Sequence, residues 1–143
     1  MEKDNRELLQ IDAPIRRYVT KKVIGIEKNK SIQESVARMV EFDISSITVT
    51  DNGRVVGFLT DSDIKKRVVA GGISPAGPIE TVMTRELISA DINTPVRDVM
   101  ALMSDHTIKH MLITEKDEVV GLITLRDIED LSMQRFETYI ARE

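Results

Sequence analysis

The sequence lacks the residues on which several classes of protein depend. None of its 143 residues is cysteine, which excludes disulfides, thiolate chemistry and cysteine-based zinc sites. Tryptophan is absent and aromatic residues make up only 3%, so Ile, Val, Leu and Met must fill the core. The 20 Lys and Arg face 24 Asp and Glu, a balance that argues against a general nucleic-acid-binding protein.

Membrane and export signals are also missing. No apolar run approaches the roughly 20 residues that a membrane-spanning helix needs. Residues 1–7, MEKDNRE, are too charged for a signal peptide. We therefore expect a cytoplasmic protein that has neither a membrane nor a nucleic acid as partner. With 143 residues and 41% hydrophobic composition, the chain can form one compact domain or two small units that share a core.

Sequence motifs for catalysis are absent as well. The chain contains no nucleophile elbow, no His-Glu-x-x-His, no Walker loop and no dinucleotide fingerprint. Gly72 and Gly77 have the spacing of a phosphate loop, but Pro78 stands where that loop needs lysine. His106 and His110 are spaced like helical metal ligands, yet we expect a helix end at one and a strand at the other. The sequence therefore predicts no catalytic residue, no metal site and no enzyme activity.

What the chain does contain is an internal duplication. The stretch Val55–Ile64, VVGFLTDSDI, recurs as Val119–Ile128, VVGLITLRDI, and a constant shift of 64 positions aligns the two halves without a gap. A register held over such a length indicates tandem duplication. Two copies favour a closed, pseudo-symmetric pair over an open solenoid.

Each half predicts the order strand–helix–strand–strand–helix, so the fold class is α/β (α+β) with tandem βαββα repeats related by a pseudo-two-fold axis. The strands are predicted at Val23–Ile26, Ile47–Thr50 and Val55–Thr60, and again at Leu87–Ala90, Met111–Thr114 and Val119–Thr124. The closing helices are predicted from about Asp61 to Ala70 and from about Leu125 to Ile140.

Local signals predict how the other helices and turns begin. Ser31 is a good N-cap, and Glu34 three residues later completes a capping box. Thr94 is the predicted cap in the second half, with Pro95 in the first turn. Ile32, Val36, Met39 and Val40 are predicted to form one apolar face, as are Val96, Met100 and Met103. Asn52-Gly53 predicts a tight hairpin turn.

These elements divide the chain into four segments. Residues 1–17 form an N-terminal arm of helical appearance, residues 18–70 the first repeat, residues 71–78 a linker, and residues 79–143 the second repeat with an extended last helix. One side of that helix is apolar and carries Ile128, Leu131, Phe136, Tyr139 and Ile140. This side can cover the protein's own core or a second subunit, and we favour the second subunit.

The tandem pattern resembles a CBS-domain pair, or Bateman module. The resemblance rests on Val82-Met83-Thr84, on Ile108–Ile113, and on two copies of Gly-x-x-Thr-x-x-Asp in register, Gly57–Asp63 and Gly121–Asp127. It covers residues 18 to about 131. It implies two repeats packed through their sheets, two clefts for adenosine-containing ligands such as AMP, ADP, ATP or S-adenosylmethionine, and disc-like homodimers.

The Thr and Asp of that signature have two interpretations. Thr at the cap with an acid three residues later is a variant capping box, worth about 1 kcal/mol, that needs no ligand. The same helix N-terminus at a sheet edge attracts phosphate, and its carboxylate can accept hydrogen bonds from a ribose diol. By resemblance, Asp63 and Asp127 would bind ribose, assisted by Thr60 and Thr124.

The resemblance assigns a ligand set to each cleft from both repeats. The first cleft comprises Phe58, Thr60, Asp63, Leu87, Ile88, Lys109, His110 and Arg126. The second, weaker cleft comprises Val23, Ile24, Ser45, Ser46, Ser62, Leu122, Thr124 and Asp127.

The phosphate ends of the two clefts differ in charge. Lys109, His110 and Arg126 have three serines as their counterparts, and a phosphate held by Lys or Arg gains charge-assisted bonds. We therefore expect a phosphorylated adenosine in the first cleft and an uncharged adenosine compound, or nothing, in the second. Asp61 would repel phosphate unless it points away or Mg²⁺ intervenes.

Three functions are compatible with these features. The first is a regulatory module that changes conformation when an adenine nucleotide binds and signals to a separate target enzyme or transporter. The second is a dimerisation or docking scaffold without a small ligand, and the third is a small nucleotide enzyme, which the missing motifs disfavour. A sensor of S-adenosylmethionine or NAD(H) is a less favoured form of the first.

Overall fold

The computed structural model describes residues 9–19 and 22–132, which fall into two compact units. The first unit comprises Lys22–Ile88, and the second comprises Met1–Lys21 together with Ser89–Glu143. Each unit is built around one three-stranded sheet.

The first unit follows the predicted order of elements. Its strands are β1 (Gly25–Glu27), β2 (Ser46–Asp51) and β3 (Arg54–Thr60), and helix α1 (Ile32–Glu41) connects β1 to β2. β1 runs parallel to β2, and β3 runs antiparallel to β2. A helix then begins as α2 (Asp61–Asp63) and continues as a π-helix over Ile64–Val69, with the amide of Ala70 bonded to the carbonyl of Lys65 at 2.9 Å.

The second unit repeats this topology. It contains β4 (Ser89–Asp91), α3 (Val96–Asp105), β5 (His110–Glu115) and β6 (Glu118–Thr124), in sheet order β4-β5-β6. A further helix, α4, begins at residue 125 and is described to residue 132. The βαββα prediction is therefore confirmed in both halves, while residues 133–140 of the predicted last helix lie outside the described part of the chain.

The buried apolar faces of α1 and α3 contain fewer of the predicted residues than the sequence suggests. Ile32 and Met39 are buried in α1, but Val40 is 75% exposed, so its place in the predicted core face is wrong. Ser35 is buried on the core side of α1 instead. Its hydroxyl donates a 2.6 Å bond to the carbonyl of Ile32, so burial leaves this polar group with a hydrogen-bond partner. In α3 the predicted Val96 and Met103 are buried together with Val99, while the predicted Met100 is exposed.

The helix caps are partly as predicted. In α1 the Glu34 amide donates to the Ser31 hydroxyl at 3.0 Å, and the Ser31 amide donates to the Glu34 carboxylate at 2.8 Å. The latter bond holds the pKa of Glu34 below its usual value. The predicted Thr94 cap is wrong: Pro95 is the N-cap of α3, in an extended conformation without a side-chain cap bond.

The segments that precede the repeats dock in a pseudo-symmetric way. We call residues 11–19 the first leading segment and residues 75–84 the second. The amides of Ile32 and Val96, at the start of α1 and α3, donate 2.9 Å bonds to the carbonyls of Gly77 and Ala13, respectively. Each leading segment therefore packs on the repeat that it does not precede along the chain.

Because each leading segment packs on the other repeat, two predictions about the segments of the chain need correction. Residues 75–78 of the predicted linker are bonded to the first unit, since the carbonyl of Pro75 also accepts from the Gln33 amide at 2.9 Å. Within the described part of the N-terminal arm, the helical expectation is met only by a 3₁₀ turn over Ile15–Tyr18 after the extended Pro14. Buried Ile15 and Ile79 anchor the two segments.

Tight hairpins join the last two strands of each sheet. Asn52 and Gly53 have φ of 51° and 82°, as the Asn-Gly turn predicts, and Lys116 and Asp117 form the equivalent turn with φ of 51° and 64°. These turns align β3 and β6 with their neighbours, so that both strands end at the edge where the closing helices begin.

Candidate functional site

Each unit carries a threonine and an aspartate at the junction between its last strand and the following helix. The Asp63 amide donates to the Thr60 hydroxyl at 3.2 Å, and the Thr60 amide donates to Oδ2 of Asp63 at 3.0 Å. Thr124 and Asp127 make the same pair of bonds at 3.0 and 3.1 Å. The predicted capping box is therefore present in both units.

In the first unit the cap occupies only part of the acceptor capacity of the aspartate. A carboxylate has about four lone-pair sites on two oxygens, and the bond from the Thr60 amide uses one site on Oδ2 of Asp63. The capping interpretation and the ligand interpretation of these residues are therefore compatible with one another.

Sheet register brings the predicted serines of the first unit to this junction. Ser46 pairs with Thr60 across β2 and β3, and the amide of Asp61 donates to the carbonyl of Ser45 at 3.0 Å. Ser62 follows in the first turn of α2 and is exposed, whereas Ser46 is only 3% exposed.

The same register brings three predicted cationic residues to the junction in the second unit. His110 pairs with Thr124 across β5 and β6, and the amide of Leu125 donates to the carbonyl of Lys109 at 2.8 Å. Lys109 and Arg126 are exposed, and His110 is half-buried. Positive charge thus accumulates at the strand ends of the second unit, where the first unit carries hydroxyls.

The predicted apolar contacts to a base lie just outside the strands. Ile24 precedes β1 and accepts from the Thr48 amide at 3.1 Å, so the predicted strand over Val23–Ile26 is observed only from Gly25. Leu87 and Ile88 likewise precede β4. All of these side chains, with Val23, Phe58 and Leu122, are half-buried.

Two further contacts place Phe58 beside the second leading segment. The amide of Phe58 donates to the carbonyl of Thr84 at 2.9 Å, and the amide of Thr84 donates back at 2.8 Å. The first unit thus brings Phe58 to the segment that continues to Leu87 and Ile88. The cleft assignments that combine the two units remain predictions.

An arginine that the sequence reasoning missed lies beside Asp63. Nε of Arg67 is 3.8 Å from Oδ1 of Asp63, and Nη1 donates to the carbonyl of Val82 at 3.0 Å. The side chain of Asp63 is 16% exposed and that of Arg67 is 48% exposed. The i,i+4 spacing of an acid and an arginine in a predicted helix is the signal that could have found this pair.

Asp61 lines a groove of the first unit that does not include Thr60 or Asp63. It lines an open groove of about 500 Å³ between α1 and the closing helix, together with Asp43 and Lys65. The floor of this groove is apolar and consists of Val36, Met39, Val40, Ile44, Ile64 and Val69.

The signature glycines are needed for close packing. A Cβ at Gly57 would overlap the Met83 side chain of the second leading segment, and a Cβ at Gly121 would overlap Cγ1 of Val19 in the first. These glycines let the leading segments approach the last strand of each sheet, which is a structural reason for the Gly of Gly-x-x-Thr-x-x-Asp.

Within residues 9–19 and 22–132, no three His, Asp or Glu side chains cluster as metal ligands. His106 is the C-cap of α3 and His110 begins β5. The helices of this part of the chain are also too short or too polar to cross a membrane.

Comparison with known proteins assigns this architecture to a family. A family model described as CBS domain matches residues 15–70 and 79–133. The chain belongs to the CBS-domain family and contains a pair of these domains. Proteins built around such pairs are regulatory or signalling modules.

Relatives of similar length support the assignment. The CBS domain-containing protein YhcV of Bacillus subtilis is 32% identical over 114 residues, which are 80% of this chain and 81% of YhcV. An uncharacterised conserved protein from Pyrococcus horikoshii has a crystal structure with TM-score 0.83 and 45% identity, covering 87% of this chain and 95% of that one.

A third relative contains bound ligands. The CBS-domain pair of protein MJ0100, solved in complex with 5′-methylthioadenosine and S-adenosyl-L-methionine, has TM-score 0.76 and 28% identity, covering 85% of this chain and 97% of that one. An adenosyl ligand is therefore established for one structural relative of this chain.

We predict that alanine at either signature glycine destabilises the fold through overpacking. Gly121→Ala should cost about 2–3 kcal/mol because Val19 is β-branched and stiff, and Gly57→Ala should cost about 1–2 kcal/mol because Met83 can change rotamer. Urea unfolding measures both. The double variants Val19→Ala/Gly121→Ala and Met83→Ala/Gly57→Ala should show less than the sum of their single costs. Strict additivity would contradict the packing explanation.

Proposed function

We propose that this chain is a regulatory sensor of a phosphorylated adenosine, such as AMP, ADP or ATP, that signals to a separate target enzyme or transporter. The observation that carries the proposal is the Thr–Asp pair, which holds an oriented carboxylate at a helix N-terminus in each unit. Ribose hydroxyls are donors that such a carboxylate accepts, and the helix N-terminus favours phosphate.

Charge supports a phosphate rather than a neutral ligand in the first cleft. Lys109 and Arg126 are exposed and supply cations that form charge-assisted bonds about twice as strong as neutral ones. We propose that they serve the first cleft with Thr60 and Asp63, as the family resemblance implies. The second cleft, with serines in their place, would take an uncharged adenosine compound or remain without a ligand.

The adenosyl ligands of MJ0100 support the adenosine part of this proposal. S-adenosylmethionine carries a sulfonium cation and no phosphate, so Lys109 and Arg126 would repel it where they would attract AMP. A sensor of S-adenosylmethionine is therefore the less favoured alternative. NAD(H), whose diphosphate the same cations would attract, stays an alternative that this charge argument does not exclude.

The residues of the first unit fit poorly with a protein-held Mg²⁺. Mg²⁺ in nucleotide sites takes one or two carboxylates together with phosphate oxygens. Asp61 lines the groove with Asp43 and Lys65, and Oδ2 of Asp63 is engaged in the cap. We therefore propose that Mg²⁺, where present, comes with the phosphates of the nucleotide.

The same residues do not suggest catalysis. Asp63 and Asp127 each belong to a capping box at the start of a closing helix, and they lie in different units, so they do not form a paired acid/base site. We propose a binding protein of the cytoplasm without enzyme activity.

The groove of the first unit favours a second copy of this chain as a further partner. Val40 and Val69 line it at 75% and 74% exposure, and Phe42 beside it is 46% exposed. Exposed apolar residues in such number mark interaction sites. Because its rim carries both aspartates and a lysine, the surface is self-complementary, as a two-fold contact requires. We propose a homodimer through this groove.

The ribose role of Asp63 predicts a loss of nucleotide affinity. Asp63→Asn keeps a cap acceptor but removes the charge, and should weaken AMP binding by about 10- to 100-fold in calorimetry, the worth of a hydrogen bond to a charged group. Ser31→Ala, which removes the cap of α1 in the same unit, is the matched control and should leave AMP affinity unchanged. Equal AMP affinity of Asp63→Asn and the wild type would refute the role.

The phosphate role of Lys109 and Arg126 predicts selectivity. Replacing both by serine, as in the first repeat, should weaken AMP by about tenfold or more while adenosine binds as before, because only AMP loses charge-assisted bonds. Competition between the two ligands measures this difference. Lys116→Ser, at the tip of the β5–β6 turn, serves as control. A parallel loss for adenosine and AMP would show that the cations act through the fold.

If the dimer forms through the groove, a single charged substitution in the groove should dissociate it. Val40→Glu should reduce the mass measured by light scattering from two chains to one, because a buried carboxylate would lack a partner. Val120→Glu, at a 43% exposed position of β6, should leave the dimer intact. A wild-type monomer, or a Val40→Glu dimer, would contradict the interface.

A further inference from the structure

Arg67 joins two parts of the first unit that are far apart along the chain. Its guanidinium lies 3.8 Å from Oδ1 of Asp63, in the first turn of the closing helix. It also donates a 3.0 Å bond to the carbonyl of Val82, in the second leading segment. One planar group with five donors thus contacts both the proposed ribose carboxylate and that segment.

The backbone of Arg67 is firmly placed. It lies in the π-helix Ile64–Val69, whose Val68 is 4% exposed and anchors the turn in the core. The chain then folds back so closely at Gly71 that a Cβ there would overlap the carbonyl of Arg67. π-helical turns are frequent at functional sites, and here one holds the guanidinium above Asp63.

The other end of the contact is equally well packed. Val82 and Met83 are 2% and 5% exposed, and the next residue, Thr84, makes two backbone bonds to Phe58. From Thr84 the chain continues to β4 of the second unit. The Val82 carbonyl therefore belongs to the segment that connects the two repeats.

We infer that Arg67 is a positioning residue that couples ligand occupancy at Asp63 to the docking of the second leading segment. The inference rests on the proposed ribose role of Asp63. Ribose hydroxyls that bind Oδ1 replace its long contact with Arg67, and the guanidinium then turns its donors to the Val82 carbonyl without contacting the ligand. The coupling is specific to the first unit, because Leu131 stands at the equivalent position of the second.

Hydrogen exchange of the full-length chain tests this coupling without a ligand. Arg67→Leu, which copies the second repeat, should speed exchange at the Met83 and Thr84 amides by about three- to tenfold, the effect of losing one ordinary hydrogen bond, because the Arg67 side chain is half exposed to water. Asp63→Asn should produce a smaller acceleration, and the double variant should show less than the product of the two factors. Lys66→Leu, on the same helix, is the matched control and should change nothing.

A second arm adds saturating AMP. The wild type should change its exchange at residues 82–84 on binding, whereas Arg67→Leu should bind AMP within about threefold of wild type and show no such change. Arg67→Lys should show part of the response that Arg67→Leu loses, since lysine keeps the positive charge but lacks the planar set of guanidinium donors.

The outcomes separate the two proposals. Independent effects of Arg67→Leu and Asp63→Asn in the ligand-free protein, or an unchanged AMP response in Arg67→Leu, would overturn the coupling. A wild type that fails to bind AMP but shows coupled exchange would overturn the nucleotide assignment and leave the Asp63–Arg67–Val82 connection supported.

Discussion

The reciprocal bonds between a threonine and an aspartate at the start of each closing helix are the interaction on which the site depends. Thr60 ends β3 and Asp63 lies in the first turn that follows, so the two bonds connect a sheet edge to a helix. They satisfy amides that a helix N-terminus leaves without partners. The same bonds orient the carboxylate, so the proposed ligand-binding group is held by the element that also stabilises the fold.

Duplication gives the two units one backbone plan and unequal chemistry. The register of β2 with β3 recurs in β5 with β6. Both pairs shift register at the same place, between Val49 and Thr50 and between Ile113 and Thr114. On that common frame, serines of the first unit are replaced by Lys109, His110 and Arg126 in the second. Differences in ligand preference therefore require only side-chain changes at the strand ends, because the fold itself does not determine the function.

The exchange of leading segments explains residues that a ligand alone would not. Gly57 and Gly121 make room for Met83 and Val19, and Ile79 and Ile15 fill equivalent buried positions. In the first unit an ion pair adds to this docking, since Lys28 lies 3.5 Å from Glu80 and 3.2 Å from Asp51. Both carboxylates raise the pKa of Lys28, Asp51 most strongly. The glycine of the family signature thus serves packing, and its threonine and aspartate serve the helix cap and the proposed binding role.

The repeat, the order of elements, the Ser31 cap and the Thr–Asp junctions could be predicted from the sequence, because each is a short-range pattern of polarity and hydrogen-bonding residues. The exposure of Val40, the capping of α3 by Pro95 and the docking of each leading segment on the other repeat became known only from the folded structure. Contacts such as Ala13 with Val96 or Arg67 with Val82 join residues far apart along the chain. Local periodicity carries no information about such contacts, since they depend on which surfaces the folded backbone brings together.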